Sequence, residues 1–142
     1  MLTFTPDSKK TDVGVSLEYL NKVMKRRCTA FLISDFYTRK DFSQELRIAN
    51  KKHDVVAIQV YDRRAKEMPD VGLMKVVDAE TGHEMYIDTH DARLRKVHNV
   101  YWEEREQRLH EMLNQSHVDS IDVATDDDYV KMLMTLFSKR SR

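Results

Sequence analysis

Thr11 and Asp35 are the residues of this sequence whose setting points most directly to chemistry. Asp35 follows the apolar run Thr29-Ala30-Phe31-Leu32-Ile33-Ser34, stands just before Phe36, and is preceded further back by the basic cluster Lys25-Arg26-Arg27. A short apolar run of this kind reads as a fully buried strand of the parallel type. A carboxylate at the carboxyl end of such a strand sits where open α/β sheets bind ligands. Thr11 lies eighteen residues before the run begins, in Thr11-Asp12-Val13-Gly14 at the mouth of a helix. A hydroxyl and a carboxylate delivered to one sheet edge are hard-oxygen ligands suited to a small divalent cation. Two oxygens are too few to hold one, so the sequence supplies half of a site.

Other carboxylates compete. Asp62 and the acidic knot Asp126-Asp127-Asp128 also follow predicted strands and should share the edge that carries Asp35. Carboxylates gathered in this way can build magnesium-dependent phosphoryl-transfer or hydrolase sites. The alternative function is therefore a magnesium-dependent phosphoesterase using Asp35, Asp62 and Asp126. Helix capping explains Asp62 and Asp126–Asp128 more simply, and a threonine before a helix, as at Thr11, is an ordinary cap. The six histidines, at 53, 83, 90, 98, 110 and 117, form no His-x-x-x-His pair and have no cysteine partner with zinc spacing. His90 and Asp91 read as the start of a long helix rather than as a dyad. Only three glycines are present, too few for a phosphate-cradling loop. No serine sits in a nucleophile-elbow pattern.

The elements that must position these groups belong to one domain of ordinary composition. The 142 residues are 41% hydrophobic and 34% charged, with 24 basic and 24 acidic side chains and a formal net charge of zero. That balance makes no electrostatic case for nucleic acid or an anionic membrane. Cys28 is the single cysteine, so no intrachain disulfide forms and a reducing compartment fits. Beside the first strand it reads as a small buried hydrophobe. No stretch reaches transmembrane length and no signal-peptide apolar region opens the chain, so the expected location is cytoplasmic.

Residues 1–10 lack any period and read as a flexible lead-in. Val13, Leu17, Leu20 and Met24 recur at helical spacing and predict a helix over about 12–26. After the first strand, Asp41 can cap a helix with the stripe Phe42, Leu46 and Ala49. A second apolar run, Val55 to Tyr61, is opened by Asp54 and stopped by Asp62. Strand, helix, strand in this order predicts two parallel strands. A short helical turn over 63–68 ends at Pro69. Val71–Val77 and Glu84–Asp88 predict an inserted β-hairpin at about 71–89, with Gly82 left-handed. A long helix over about 90–115 carries Leu94, Val97, Tyr101, Leu109 and Met112. Val118–Val123 predicts a third strand, less apolar and so nearer an edge. Thr125 or Asp126 caps a last helix bearing Tyr129, Val130, Leu133, Met134 and Phe137.

Taken together these residues resemble a known family. Thr11-Asp12-Val13-Gly14 before a helix, then Phe31-Leu32-Ile33-Ser34-Asp35-Phe36, looks like the second half of a von Willebrand factor A-like domain, and more narrowly like the bacterial domain-of-unknown-function family 58. Lys25-Arg26-Arg27, His53 to Ile58, Asp62-Arg63-Arg64 leading to Met68-Pro69-Asp70-Val71-Gly72, Asp78 to Gly82, Ile87-Asp88-Thr89 and Thr125 to Val130 match in order and spacing. The resemblance covers the chain from about residue 9, so 11–142 reads as the carboxyl-terminal part of one such domain. It implies an α/β fold, a partial Rossmann-like parallel sheet flanked by helices. It also implies a metal-ion-dependent adhesion site, in which Thr11 matches the family threonine and Asp35 the family aspartate. The Asp-x-Ser-x-Ser element that completes the site has no counterpart here. Mg2+ is therefore expected in a complete parent domain and not tightly held by this chain.

Physical consequences follow from that gap. The strand bearing Asp35 normally lies beside the strand bearing the missing serines, so Phe31, Leu32 and Ile33 should stand on an open apolar edge. Such an edge invites pairing with another chain, including an edge-to-edge homodimer. The leading expectation is a non-catalytic protein-interaction module. The resemblance implies a MoxR-type AAA+ ATPase as partner in complex assembly. A plainer expectation is a scaffold whose hairpin and long helix carry the contacts.

Overall fold

The computed structural model describes residues 12–38, 40–77 and 81–140. Thr11 and the lead-in 1–10 lie outside the described residues. The elements run α1 (Val13–Val23), β1 (Thr29–Ser34), α2 (Ser43–Lys52), β2 (Asp54–Tyr61), α3 (Arg63–Lys66), β3 (Leu73–Val77), β4 (Glu84–Asp88), α4 (Ala92–Gln115), β5 (Asp119–Ala124) and α5 (Tyr129–Arg140). β1, β2 and β5 form a parallel sheet in the order β1-β2-β5, and β3 and β4 form a separate antiparallel hairpin. The fold is thus α/β, a three-stranded parallel sheet flanked by helices and consistent with a partial Rossmann-like arrangement. The predicted hairpin is present, and Gly82 has φ +69° as its turn requires. No helix among the described residues is long and apolar enough to cross a membrane.

Strand periodicity explains how the core divides. Val55 and Ala57 of β2 face a cluster made by Val13 and Leu17 of α1, Leu46 and Ala49 of α2, and Leu109 and Leu113 of α4, with Leu32 of β1 packed against it. Val56 and Ile58 point to the opposite face, on which α5 packs along β5 and buries Leu136. Arg140, near the end of α5, holds it down through Asp54 and, at 3.1 Å, Asp119. β2 is buried on both faces from Val55 to Gln59, as a central parallel strand should be.

Several expectations need correction. β1 is not fully buried: Phe31 is 46% and Ile33 63% exposed, because β1 is an outer strand; Phe31 meets Phe137 of α5 edge to face. The stripe of α4 is only half used. Leu109 is buried, but Val97 and Tyr101 are exposed, since this 24-residue helix buries side chains only in its last turns, at Leu109 and Leu113. In α5 the buried residue is Leu136, while Tyr129, Val130 and Met134 are exposed. Two caps also shift by a residue or more. Asp12 caps α1, its Oδ1 accepting from the Val15 N–H at 3.2 Å. Asp128, rather than Thr125 or Asp126, serves α5, accepting from the Lys131 N–H at 3.4 Å.

Candidate functional site

The carboxyl ends of three parallel strands bring Asp35, Asp62 and Asp126 to one side of the sheet. Asp35 is exposed and begins a tight turn: its Oδ1 accepts from the Tyr37 N–H at 2.9 Å, and the Phe36 N–H donates to Ser34 Oγ at 3.0 Å. Phe36 has φ +52°, a left-handed conformation that costs a bulky side chain free energy. Burial compensates, because its ring is 4% exposed and stacks on Phe42 with centroids 6.1 Å apart. The chain therefore reverses at once after β1 and leaves Asp35 at the rim.

Two contacts pin this turn. Arg105 of α4 donates from Nη2 to the Asp35 carbonyl oxygen at 3.3 Å, and its guanidinium lies 4.4 Å from the Tyr37 ring centroid and 4.9 Å from that of Trp102. Lys40 Nζ donates to Asp12 Oδ2 at 2.5 Å, which ties the start of α1 to the loop after β1. That bond, with the Val15 N–H, holds the Asp12 carboxyl below its ordinary value, and Asp12 raises Lys40 in return. The residue next to Thr11 thus stands at the same end of the sheet as Asp35, while Thr11 itself lies outside the described residues.

The other carboxylates are engaged elsewhere. Asp62 Oδ1 accepts from the Arg64 N–H at 2.9 Å and so caps α3. Arg63 binds Asp126 through Nε at 3.0 Å and Asp127 through Nη2, and this guanidinium keeps the Asp126 carboxyl below its ordinary value. Asp35 and Asp126 follow the two outer strands, with β2 between them, so their strands are separated by about 10 Å. Among the described residues no three His, Cys, Asp or Glu side chains are grouped to hold a metal ion. The trio expected of a phosphoesterase is not gathered, and the described residues alone do not fit Mg2+.

One feature was not singled out from the sequence. Next to Asp35, a cavity of about 520 Å³ opens between the loop after β1 and α4, with Gln59 on its floor and Trp102 and Arg105 on its wall. Two signals were available: Gln59 interrupts an apolar strand, and Trp102 is the single tryptophan. The open apolar edge expected at Phe31 and Ile33 is present: β1 is an outer strand, both side chains are exposed, and Phe31 meets Phe137 of α5.

Comparison with known proteins gives a family and no function. The profile of the family described as "Protein of unknown function DUF58" matches residues 1–108. The chain is 38% identical over 77 residues to uncharacterized protein Rv1480 of Mycobacterium tuberculosis and 35% identical over 77 residues to uncharacterized protein MAV169 of Mycobacterium avium. Each match covers 54% of this chain, but only 24% of the first relative and 46% of the second. The matched part is therefore less than half of either relative. No solved structure matches the chain.

Proposed function

Since the chain belongs to the DUF58 family of proteins of unknown function, we propose that it is a non-catalytic protein-interaction module that docks through β1. One observation carries this reading. β1 is an outer strand of the sheet whose Phe31 and Ile33 are 46% and 63% exposed, a ladder edge and an apolar face presented together. Backbone groups on such an edge add a strand from another polypeptide, and alternate side chains supply selectivity. The occupant is a strand of a second polypeptide, and for the isolated chain a second copy. In a complete parent domain of the von Willebrand factor A type, Asp35 and Thr11 would contribute to a Mg2+ site. A MoxR-type AAA+ ATPase is the assembly partner this reading takes, in the cytoplasm.

Sedimentation at increasing concentration tests the docking edge. A concentration-dependent dimer is expected, and Ile33→Lys should return it to monomer because a charge on this face disfavours pairing. A well-folded wild-type monomer at high concentration would count against the proposal. Co-purification with a MoxR-type ATPase, compared between wild type and Asp35→Ala, separates the module from the enzyme: phosphatase turnover lost in Asp35→Ala would favour the phosphoesterase.

A second reading has its own observation. Leu73, Val77, Met85 and Tyr86 of the hairpin and Val97 of α4 are all more than half exposed. Residues 71–89 would then carry the contacts of a scaffold. Deleting them while keeping Asp35 should leave β1-mediated pairing intact if the first reading holds.

A further inference from the structure

We propose that the cavity beside Asp35 is a peptide site that takes an acidic side chain and the backbone amide next to it. This rests on the interaction-module reading and gives the partner's chemistry at a place distinct from the β1 edge. Three observations converge on it.

The first is Gln59. Its side chain lines the cavity, the residue is 4% exposed, and Oε1 is buried with no hydrogen-bond partner among the described residues. A buried acceptor without a donor is costly, so a turn of the Gln59 amide that brings Oε1 to the cavity surface, where a ligand N–H can meet it, is favoured. The second is Arg105. It is half-buried between Tyr37 and Trp102, and no carboxylate among the described residues lies within ion-pair distance of it. Loss of water lowers its pKa despite the nearby Asp35 and Glu106, so its charge is incompletely compensated. The planar fork of a guanidinium, already oriented by stacking, suits a carboxylate.

The third is the charge of the lining as a whole. Lys40, Lys66, Arg105 and Arg108 face Asp41 and Glu106. Lys66 is bound to Glu106 at 2.5 Å, Lys40 to Asp12 and Arg108 to Glu104 at 4.0 Å, and Asp41 accepts from the Ser43 N–H at 2.9 Å. Arg105 is the cation left to meet a ligand. An inorganic phosphate satisfies Arg105 but offers mainly acceptors to Gln59 Oε1. An acidic peptide satisfies both, with its carboxylate on Arg105 and a backbone N–H on Gln59.

Trp102 is the only tryptophan and lies in the wall, so its emission reads occupancy directly. The full chain is titrated with acetyl-Ala-Glu-Leu-amide, acetyl-Ala-Gln-Leu-amide and inorganic phosphate. The glutamate peptide should bind about tenfold more tightly than the glutamine peptide, with the preference falling as salt rises. Arg105→Gln should bring the ratio near one. Gln59→Leu should weaken both peptides and keep the ratio. Arg105→Lys, which retains charge and loses the fork, should lose most of the preference and serves if Arg105→Gln does not fold. Equal binding of the two peptides, no binding at millimolar concentration, a ratio unchanged in a folded Arg105 variant, or phosphate competing as well as the glutamate peptide would each overturn the site. If the site fails while Ile33→Lys still dissolves the dimer, the β1 interaction reading stands without it.

Discussion

Asn50 shows how much a single side chain can organise in this molecule. Its Nδ2 donates to the Ser116 carbonyl at 3.1 Å and the His117 carbonyl at 2.8 Å, while its Oδ1 accepts from the Val55 N–H at 3.1 Å. One amide thus joins the end of α2, the start of β2 and the turn from α4 into β5. Asn50→Ala should lower stability by about 2 kcal/mol, since the buried Val55 N–H loses its partner; urea denaturation measures this, and a loss under about 0.5 kcal/mol would show that water replaces the amide. The Asp12–Lys40 pair makes a prediction in pH. The folded Asp12 value is depressed from 3.8, so its stabilisation is present above that value and is lost as pH falls through the folded one. The folded Lys40 value is raised above 10.5, so its stabilisation is present below that value and is lost as pH rises through the folded one. The stability gap between wild type and Lys40→Ala should therefore exist at neutral pH and close at both extremes. A gap that persists unchanged at strongly acidic pH would assign the effect to packing.

At the scale of elements, burial rather than periodicity separates residues that matter from residues that match a pattern. Leu46 in α2 is fully buried, and Leu46→Ala should cost about 2–5 kcal/mol by leaving a cavity between α1, α2 and the sheet. Val97 occupies an equally regular apolar position in α4 but is 70% exposed, so Val97→Ala should change stability by less than about 0.5 kcal/mol. Melting curves of the two variants distinguish them; a large loss at Val97 would mean that the first half of α4 is covered by something in solution. The hairpin is another weakly covered element. It is anchored where Thr89 Oγ1 donates to the Gly72 carbonyl at 2.7 Å and accepts from the Val71 N–H at 3.0 Å, while most of its apolar side chains face solvent. Amide exchange should be faster in β3 and β4 than in β2; equal protection would show that the hairpin unfolds only with the whole chain.

At the scale of the molecule, the described parallel sheet has β1 and β5 as its two edges, and the face beside β1 stays partly open. The same geometry explains why the described carboxylates do not make a metal centre: each lies at the end of a different strand and is taken up by its own turn, cap or arginine. Calorimetry with Mg2+ should show no saturation at concentrations below about 1 mM, because magnesium gives up its waters only to a fuller set of oxygens. Tight binding would mean that carboxylates regroup around the ion.

The sequence by itself determined the order and kind of the elements. An uninterrupted apolar run has one comfortable home between two helical layers, which makes β2 legible, and a strand-helix-strand succession makes β1 and β2 parallel. The hairpin was legible because Gly82 tolerates the left-handed turn. Asp35 was legible as the residue after a strand, and its fate as one member of a dispersed set was not. Which half of α4 is covered, and which arginine takes which aspartate, were decided only in three dimensions. So was the placing of Gln59 of β2 and Arg105 of α4 around one cavity. Burial and pairing depend on neighbours remote in the chain, and a local pattern records which residues can be buried but not what arrives to bury them.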